Sequence, residues 1–286
     1  MNYFRGLSFS VLAISLSTAI AAAQPTVKPN TGKLSMKSVD ALNQKGVGPK
    51  LIGGRVAKSE DWLASFYSES AADGSRCTAT LIGPRALLLA AHCVGNAEEV
   101  AINFRGADFS GTCTHAEEYK GGAGDASADY ALCLIANPVS GLKFETVNID
   151  PTRIKKGNQL LLTGYGCVQA PVEEGGQPSG GNDGKYRIGE ARIAALPGEA
   201  ESEANTILIR DKTAICPGDS GGGAYLVLTA TRRLIVSVNS RIWFEKGQSY
   251  LSSLSSSDGL AFVAKWIKDN KGEKVCGVNL KDATCR

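Results

Sequence analysis

A serine on a glycine-rich segment and a histidine far upstream are the residues of this chain best suited to catalysis. Ser220 lies in the segment CPGDSGGG at positions 216–223, and His92 lies in the segment AAHC at positions 90–93. Because a serine hydroxyl is a weak nucleophile near neutral pH, it needs an imidazole beside it to take its proton as it attacks. The pair therefore predicts covalent catalysis by Ser220 with a histidine as its base.

The sequence offers two histidines for this role, His92 and His115. His115 lies in the acidic segment THAEE, which we predict to be a loop. His92 follows the apolar run 86–91, which predicts a buried strand whose end can hold a side chain rigidly. We therefore prefer His92 as the base.

The two segments, in this order, resemble those of the chymotrypsin/trypsin family of serine proteases, and the resemblance covers about residues 51–270. The family has an aspartate that opens a buried strand between them, and Asp129, followed by YALCLI, fits this position. Asp125 is the alternative, but the apolar strand follows Asp129 at once. The resemblance implies that Asp129 orients His92 while Ser220 forms an acyl-enzyme with the substrate.

The glycine-rich segment has a second expected role. The tetrahedral intermediate carries a negative oxygen, and the turn lets the backbone N–H groups of Gly218 and Ser220 approach that oxygen. Loss of one such donor typically costs about 100- to 1000-fold in rate. We therefore expect Gly218 and Ser220 to form the oxyanion hole.

The residues expected to line the substrate pocket indicate an apolar preference. Trypsins carry an aspartate six positions before the nucleophile, and here that residue is Ala214, so no buried charge would meet a lysine or arginine. Ile215 adds an apolar wall. By resemblance, Ser237 binds the substrate backbone, Val238 replaces a tryptophan, and Asn239 replaces a glycine and shortens the pocket. We expect small or medium apolar residues before the scissile bond.

A cleavage site for activation is expected after Lys50. The following segment, LIGG at 51–54, resembles the mature N-terminus of the family, usually IVGG. The resemblance implies that cutting frees the α-ammonium group of Leu51, which pairs with Asp219 and orders the oxyanion turn. The uncut precursor should then be nearly inactive. Because the pocket lacks an acid, we expect a separate trypsin-like protease to make this cut.

The first fifty residues read as two processing segments. Residues 1–23 combine Arg5, an apolar run and three alanines, which is typical of a secretory signal peptide. A membrane anchor is the alternative, but the run contains serines and is short for a span of about 20 apolar residues. Residues 24–50 are polar and rich in proline and glycine, which predicts a mobile activation pro-segment. We expect a secreted protein, extracellular or periplasmic.

Eight cysteines fit an oxidising compartment. Zinc binding is the competing interpretation, but no Cys-x-x-Cys pair occurs and histidines are few, so we expect neither metal nor cofactor. The family joins the pair that matches Cys77 and Cys93. The other six allow fifteen pairings, so the sequence alone does not decide among them. We propose Cys113 with Cys133, Cys167 with Cys216, and Cys276 with Cys285.

Many short apolar runs separated by glycine and polar turns predict an all-β sandwich or barrel. These runs span 78–82, 86–91, 100–104, 130–135, 159–163, 207–210, 224–228 and 234–238. The resemblance implies two six-stranded antiparallel β-barrels of chymotrypsin type, at about 51–150 and 155–255. His92 and Asp129 then come from the first barrel and Ser220 from the second.

One segment, 260–270, has helical spacing of its apolar residues, with Ser257 or Asp258 as the expected cap. We interpret this apolar stripe as core packing. A C-terminal tail, 271–286, follows the helix.

Charge argues against nucleic-acid binding. The formal net charge is +3, but residues 1–50 hold six basic residues and one acidic one, which leaves 25 basic and 27 acidic residues in the remainder. No basic patch with interleaved aromatic residues occurs. We expect protein or peptide substrates, an activating trypsin-like protease and protein inhibitors as partners, no nucleic acid, no membrane, and a monomer.

Two other functions were weighed against a serine endopeptidase. The first is a protease-like binding protein without catalysis, which usually lacks one of the three side chains retained here. The second is an α/β-hydrolase esterase, which would need a histidine after the serine. No histidine follows Ser220, so the esterase is excluded.

Overall fold

The computed structural model describes residues 34–38, 51–70, 74–121, 126–172, 176–180, 183–200 and 202–286. Within these ranges the chain forms two β-sheets and an α-helix. The strands are β1 (Leu34–Ser38), β2 (Arg55–Val56), β3 (Ser65–Ser70), β4 (Arg76–Leu81), β5 (Ala86–Leu89), β6 (Glu99–Phe104), β7 (Ala107–His115), β8 (Ala131–Ile135), β9 (Gln159–Gly164), β10 (Arg187–Ala195), β11 (Thr206–Arg210), β12 (Gly223–Val227), β13 (Arg233–Trp243) and β14 (Gln248–Ser253). The helix is α1 (Ser257–Asp269).

The first sheet closes into a barrel of strand order β1-β3-β4-β5-β8-β7-β6. The expected two-barrel architecture is confirmed, but this barrel has seven strands, and β1 runs parallel to β6. The prediction that residues 24–50 are mobile is wrong for Leu34–Ser38, which form β1. The average composition of this segment hid a local alternation of apolar and polar residues, LSMKS, which has the two-residue period of a strand.

The second sheet has the order β11-β14-β13-β12-β9-β10-β2, and an additional pairing joins β11 to β10. That pairing closes six strands into a ring and leaves β2 attached to β10 outside it. Residues 55–56 were expected in the first barrel, but they pair with the second. Leu51 lies in the core of the second barrel as well.

All eight apolar runs form strands, so those predictions are confirmed. Five further strands were missed because serine, glycine and charged residues interrupt their apolar residues: β2, β3, β7, β10 and β14. One correction concerns His115. It ends strand β7, so the prediction that it lies in a loop is wrong.

Helix α1 packs its apolar face against the first barrel. Phe262, Val263 and Trp266 are buried in that core. The spacing predicts a stripe of Leu260, Val263, Trp266 and Ile267, of which Val263 and Trp266 are buried and Leu260 and Ile267 are half-buried. The N-cap is Ser256, whose hydroxyl accepts a hydrogen bond from the Gly259 N–H at 3.2 Å, so the predicted cap is wrong by one residue. In the described part of the chain, no helix is long and apolar enough to cross a membrane.

Candidate active site

His92 and Asp129 are brought together by two neighbouring strands of the first barrel. Strand β5 ends at Leu89 and leads into a short 3-10 turn, Ala91–Cys93, that carries the histidine. Asp129 immediately precedes Tyr130 and the paired strand β8. The imidazole Nδ1 lies 2.6 Å from Asp129 Oδ2, and the His92 backbone N–H donates to Asp129 Oδ1 at 2.9 Å. Two contacts therefore fix the histidine against one carboxylate.

Asp129 is fully buried, yet its surroundings favour the ionised form. Burial alone raises the pKa of the carboxyl group, but the charge of His92 and hydrogen bonds from His92 and Ser240 outweigh burial and hold the pKa below its usual value. The Ser240 hydroxyl donates to Asp129 Oδ2 at 2.6 Å. A carboxylate accepts the proton of Nδ1, so Nε2 of neutral His92 is left as the acceptor.

Ser240 also contacts the candidate nucleophile. Its carbonyl oxygen accepts a long hydrogen bond, 3.4 Å, from the hydroxyl of Ser220. The described contacts include no hydrogen bond between Ser220 and His92. Such bonds are often loose in unliganded proteins and tighten when substrate binds. Ser240 thus joins the Asp129 pair to the Ser220 turn.

A β-bulge explains how Ser240 reaches Asp129. Strand β13 pairs with β14 through Asn239 opposite Leu251 and Arg241 opposite Tyr250, so Ser240 is an extra residue between them. A bulge redirects the side chain of the added residue. Ser240 is not predicted from the sequence, because spacing along the chain does not reveal a bulge.

The turn that carries Ser220 can be built only with glycine at two positions. Gly218 and Gly221 have φ angles of +103° and +83°, where side chains are strained. A Cβ at Gly221 would also lie 2.1 Å from the Thr78 carbonyl oxygen. In the described part of the chain, the backbone N–H groups of Gly218 and Ser220 donate to no protein acceptor. These two donors are therefore free for a ligand.

Thr78 of strand β4 ties this turn to the first barrel. Its backbone N–H donates to the Ser220 carbonyl at 2.7 Å, and its hydroxyl donates to the Gly218 carbonyl at 2.9 Å. The same hydroxyl accepts from the Tyr165 N–H at 3.2 Å. Thr78 is not among the predicted site residues; the available signal for it was a polar residue inside a buried run, directly after a cysteine.

Asp219 is the second buried carboxylate near the turn. Its oxygens accept hydrogen bonds from the N–H groups of Gly166 and Cys216, each at 2.8 Å. No described lysine or arginine forms an ion pair with it. Burial raises the pKa of Asp219 to about 7, although the two N–H groups and the charge of Arg187 oppose this rise. The carboxylate therefore lacks a direct cationic partner.

Leu51 and Asp219 pack against neighbouring strands of the second sheet, β10 and β9. A Cβ built on Gly189 of β10 would lie 3.6 Å from Leu51 Cδ2, and a Cβ on Gly164 of β9 would lie 2.3 Å from Asp219 Oδ1. Gly164 pairs with Arg187, which is two residues from Gly189 along β10. Two residues of a strand span about 7 Å. Lys50 lies outside the described residues.

The residues predicted to line the substrate pocket differ in their surroundings and contacts. Ala214 is nearly buried, and its N–H donates to the Ile52 carbonyl at 3.2 Å. Ile215 packs in the core of the second barrel. Ser237, Val238 and Asn239 have no exposed surface.

The predicted role of Asn239 in the pocket is wrong. Its amide donates to the carbonyl oxygens of Thr163, at 2.8 Å, and Asp219, at 3.3 Å, so it supports the nucleophile turn from behind. Ser237 was matched to the serine that binds the substrate backbone, but its hydroxyl is buried without a partner, and Ser240 is the serine that reaches the site.

Of the two alternatives to His92 and Asp129, His115 does not bond to Asp129 or Ser220 in the described contacts. His115 Nε2 lies 2.6 Å from the Val94 carbonyl, and burial lowers the pKa of its imidazole. Asp125 lies outside the described residues. His92 and Asp129 are in direct contact, as the predicted pairing requires.

The cysteines form the four predicted disulfides. These are Cys77–Cys93, Cys113–Cys133, Cys167–Cys216 and Cys276–Cys285. The first holds the His92 turn to β4. Its two sulfur atoms and His92 lie within 4.8 Å of one another, but sulfurs joined in a disulfide are not thiolate ligands for a metal.

Cavity volume does not locate the site. A cavity of about 620 Å³ lies between the C-terminal tail and the segment that joins the barrels. Another, of about 320 Å³, lies beside the start of α1. Neither is lined by His92, Asp129 or Ser220, so the hydrogen-bonded residues mark the site instead.

Comparison with known proteins agrees with this geometry. The family model described as Trypsin matches residues 51–248, which are more than half of the chain. No match was found among curated proteins. The match contains the segments around His92, Asp129 and Ser220. The chain belongs to the trypsin family, and residues 51–248 form a trypsin-like serine protease domain.

Proposed function

We propose that this protein is a secreted serine endopeptidase that hydrolyses peptide bonds through an acyl-enzyme. The observation that carries the proposal is the set of hydrogen bonds that connects His92, Asp129, Ser240 and Ser220. The secretion part of the proposal is supported by residues 1–23 of the sequence and by the four disulfides, which persist in oxidising compartments.

In the proposed reaction, the Ser220 hydroxyl attacks the scissile carbonyl while Nε2 of His92 takes its proton. Asp129 holds Nδ1–H and stabilises the imidazolium that forms. His92 then gives the proton to the leaving amine, and water repeats the sequence to release the acyl group. The N–H groups of Gly218 and Ser220, which have no acceptor in the described part of the chain, stabilise the oxyanion.

Activation by cleavage after Lys50 is the second part of the proposal. Asp219 is buried with only N–H donors on its oxygens, and a buried carboxylate without a cation is unfavourable. The α-ammonium group of Leu51, freed by the cut, supplies that cation. The side chain of Leu51 is buried in the core of the second barrel, which is the barrel that carries Asp219.

A small or medium apolar residue before the scissile bond is the proposed preference. Ala214 and Ile215 bring no charge to the expected pocket floor. Beyond Ser240, the Arg241 guanidinium is held in a buried ion pair with Glu203, so that carboxylate is already neutralised. An incoming lysine or arginine would find no free acid there. A separate trypsin-like protease is therefore proposed to cut after Lys50.

Covalent labelling of Ser220 tests the catalytic proposal. We would replace residues 46–49 with four aspartates, so that enteropeptidase cuts only after Lys50, and expose the cut protein to a fluorescent organophosphonate with an apolar side chain. One equivalent of label on the peptide that contains Ser220 is expected. The Ser220→Ala variant controls for labelling elsewhere. A folded cut protein that takes no label, and cleaves no peptide from a mixed library, would support the inactive binding protein instead.

Comparison of cut and uncut protein tests activation. A precursor carrying Lys50→Gln and the processed form are assayed on the best library peptide. The processed form is expected to be at least about 100-fold more active, because the proposed ion pair of Leu51 with Asp219 stabilises the turn that carries the oxyanion donors, and loss of one such donor costs about 100- to 1000-fold. Equal specific activity of the two forms would overturn the activation proposal and leave the catalytic one standing.

A further inference from the structure

Strand β1 occupies a groove between two strands of the first barrel. Residues 34–38 pair antiparallel with residues 70–66 of β3, in five residue pairs, and parallel with residues 101–103 of β6, in three pairs. The strand is therefore bonded on both of its edges. It completes the barrel rather than lying on its surface.

One side chain of this strand enters the core. Met36 is 1% exposed and belongs to the same apolar cluster as Phe66, Ile102 and Phe104. It pairs with Ser68 on one side and Ile102 on the other. Removal of β1 would open a gap in the core and expose two strand edges about 10 Å apart. Exposed edges readily pair with another strand.

No covalent bond would hold β1 after activation. The first cysteine of the chain is Cys77, so no disulfide can tie residues 1–50 to the protease domain. Twelve residues, 39–50, separate β1 from Leu51 and can span up to about 40 Å. The chain at Lys50 can therefore be cut, and Leu51 can move, without displacing β1.

We infer that the groove between β3 and β6 is a binding site for an extended strand, and that the pro-segment stays bound in it after cleavage. This inference rests on the proposed cut after Lys50. Main-chain hydrogen bonds supply affinity in this mode of recognition, and a side-chain pocket, here the one filled by Met36, supplies specificity. The active form is then a two-chain complex whose first barrel keeps seven strands.

The experiment uses the full precursor with the enteropeptidase site and Ser220→Ala, so that no proteolysis by the protein itself can interfere. After the cut, size-exclusion chromatography at micromolar concentration is followed by mass spectrometry in denaturant. We expect the pro-segment and the domain from Leu51 onward to co-elute one to one and to separate only in denaturant. Elution of a folded domain without the segment would overturn the inference.

Substitutions at Met36 give the matched comparison. Met36→Leu conserves volume and should retain the segment, whereas Met36→Ala should weaken retention by about 30-fold or more. Equal retention of the segment in both variants would show that the groove has no specificity for the side chain at position 36. If a variant precursor does not fold, the unsubstituted protein still decides the question. Because retention is measured by mass, its failure is distinct from failure of catalysis or activation.

Discussion

Two buried aspartates, one from each barrel, flank the site and differ in what surrounds them. Asp129 accepts three hydrogen bonds from His92 and Ser240, and the pKa of its carboxyl group lies below its usual value. Asp219 is just as buried but receives only two backbone N–H groups, and its pKa is raised to about 7. The two carboxyl groups are equally buried, yet their pKa values are shifted in opposite directions.

The difference bears on the proposed activation. The contacts of His92 and Asp129 all come from described residues, so this pair needs no further partner. Asp219, in contrast, has no direct cationic partner among the described residues, and the proposed ion pair with Leu51 would supply one. We therefore place the proposed control of activity in the second barrel, at Asp219, and not at His92.

Replacement of Asp129 should have the largest effect. In Asp129→Asn, the side-chain NH2 group is a donor and faces a group that now donates to the carboxylate. The imidazole of His92 is therefore driven to the wrong tautomer. Turnover of the processed enzyme on a peptide substrate should fall by about 10⁴-fold. The exposed Asp61→Asn is the control, and it should leave turnover unchanged. A loss of less than tenfold for Asp129→Asn would contradict the assigned role.

The pH dependence of stability should separate the two carboxylates. Because the pKa of Asp219 in the folded protein is about 7, against an ordinary value of 3.8 for an aspartate, the folded precursor keeps a proton that the unfolded chain loses between pH 4 and pH 7. The free energy of unfolding should therefore fall by up to about 4 kcal/mol as pH rises through this window, from this group alone. Asp129, with a lowered pKa, acts in the opposite direction: its stabilisation is present above pH 4 and is lost on acidification.

Urea unfolding of the Lys50→Gln precursor at several pH values measures this effect. The same precursor with Asp219→Asn is the comparison, because it has no proton to lose at this position. The difference between the two curves isolates Asp219. Curves that stay parallel from pH 4 to pH 7 would show that Asp219 is not held protonated in the precursor.

Removal of one hydroxyl gives the smallest expected effect. Ser240→Ala deletes the hydrogen bond to Asp129 but keeps the carbonyl that accepts from Ser220. A hydrogen bond to a charged group contributes about 1.5–3 kcal/mol, so kcat/KM of the processed enzyme should fall by about tenfold or more. Ser237→Ala removes a buried hydroxyl without a partner and should leave kcat/KM unchanged. Equal losses in the two variants would argue against a specific role for Ser240.

The sequence predicted the parts of the fold that depend on continuous apolar runs. It failed where burial does not need such runs. Strands β3 and β14 are rich in serine, yet most of their residues are buried, because each is paired on both sides and its hydroxyls add little bulk. Strand β1 was not predicted, because the average composition of residues 24–50 is polar. Neighbouring strands, rather than local composition, decide these positions.

The candidate site shows the same division between residues that the sequence predicted and residues that it did not. His92, Asp129 and Ser220 were predicted because each stands in a short segment with a recognisable pattern. Ser240 and Thr78 were missed because their roles depend on a bulge in β13 and on the approach of the two barrels. The assignments of Ser237 and Asn239 are wrong because the same strand carries a second serine, Ser240, three residues further on, and only its contact with Asp129 identifies it. Residue spacing along one strand does not reveal a bulge, because the extra residue is defined only by the pairing with the neighbouring strand.

Thr78 has a consequence for how the two barrels can be varied. Because Thr78 holds the Ser220 turn to the barrel that carries His92, it is, with Ser240, a direct link between the two halves of the candidate site. Redesign of the outer loops of either barrel should therefore leave the reacting atoms in register. Exchange of a whole barrel between relatives would not keep the reacting atoms in register, unless this threonine and the loop that it contacts are exchanged together.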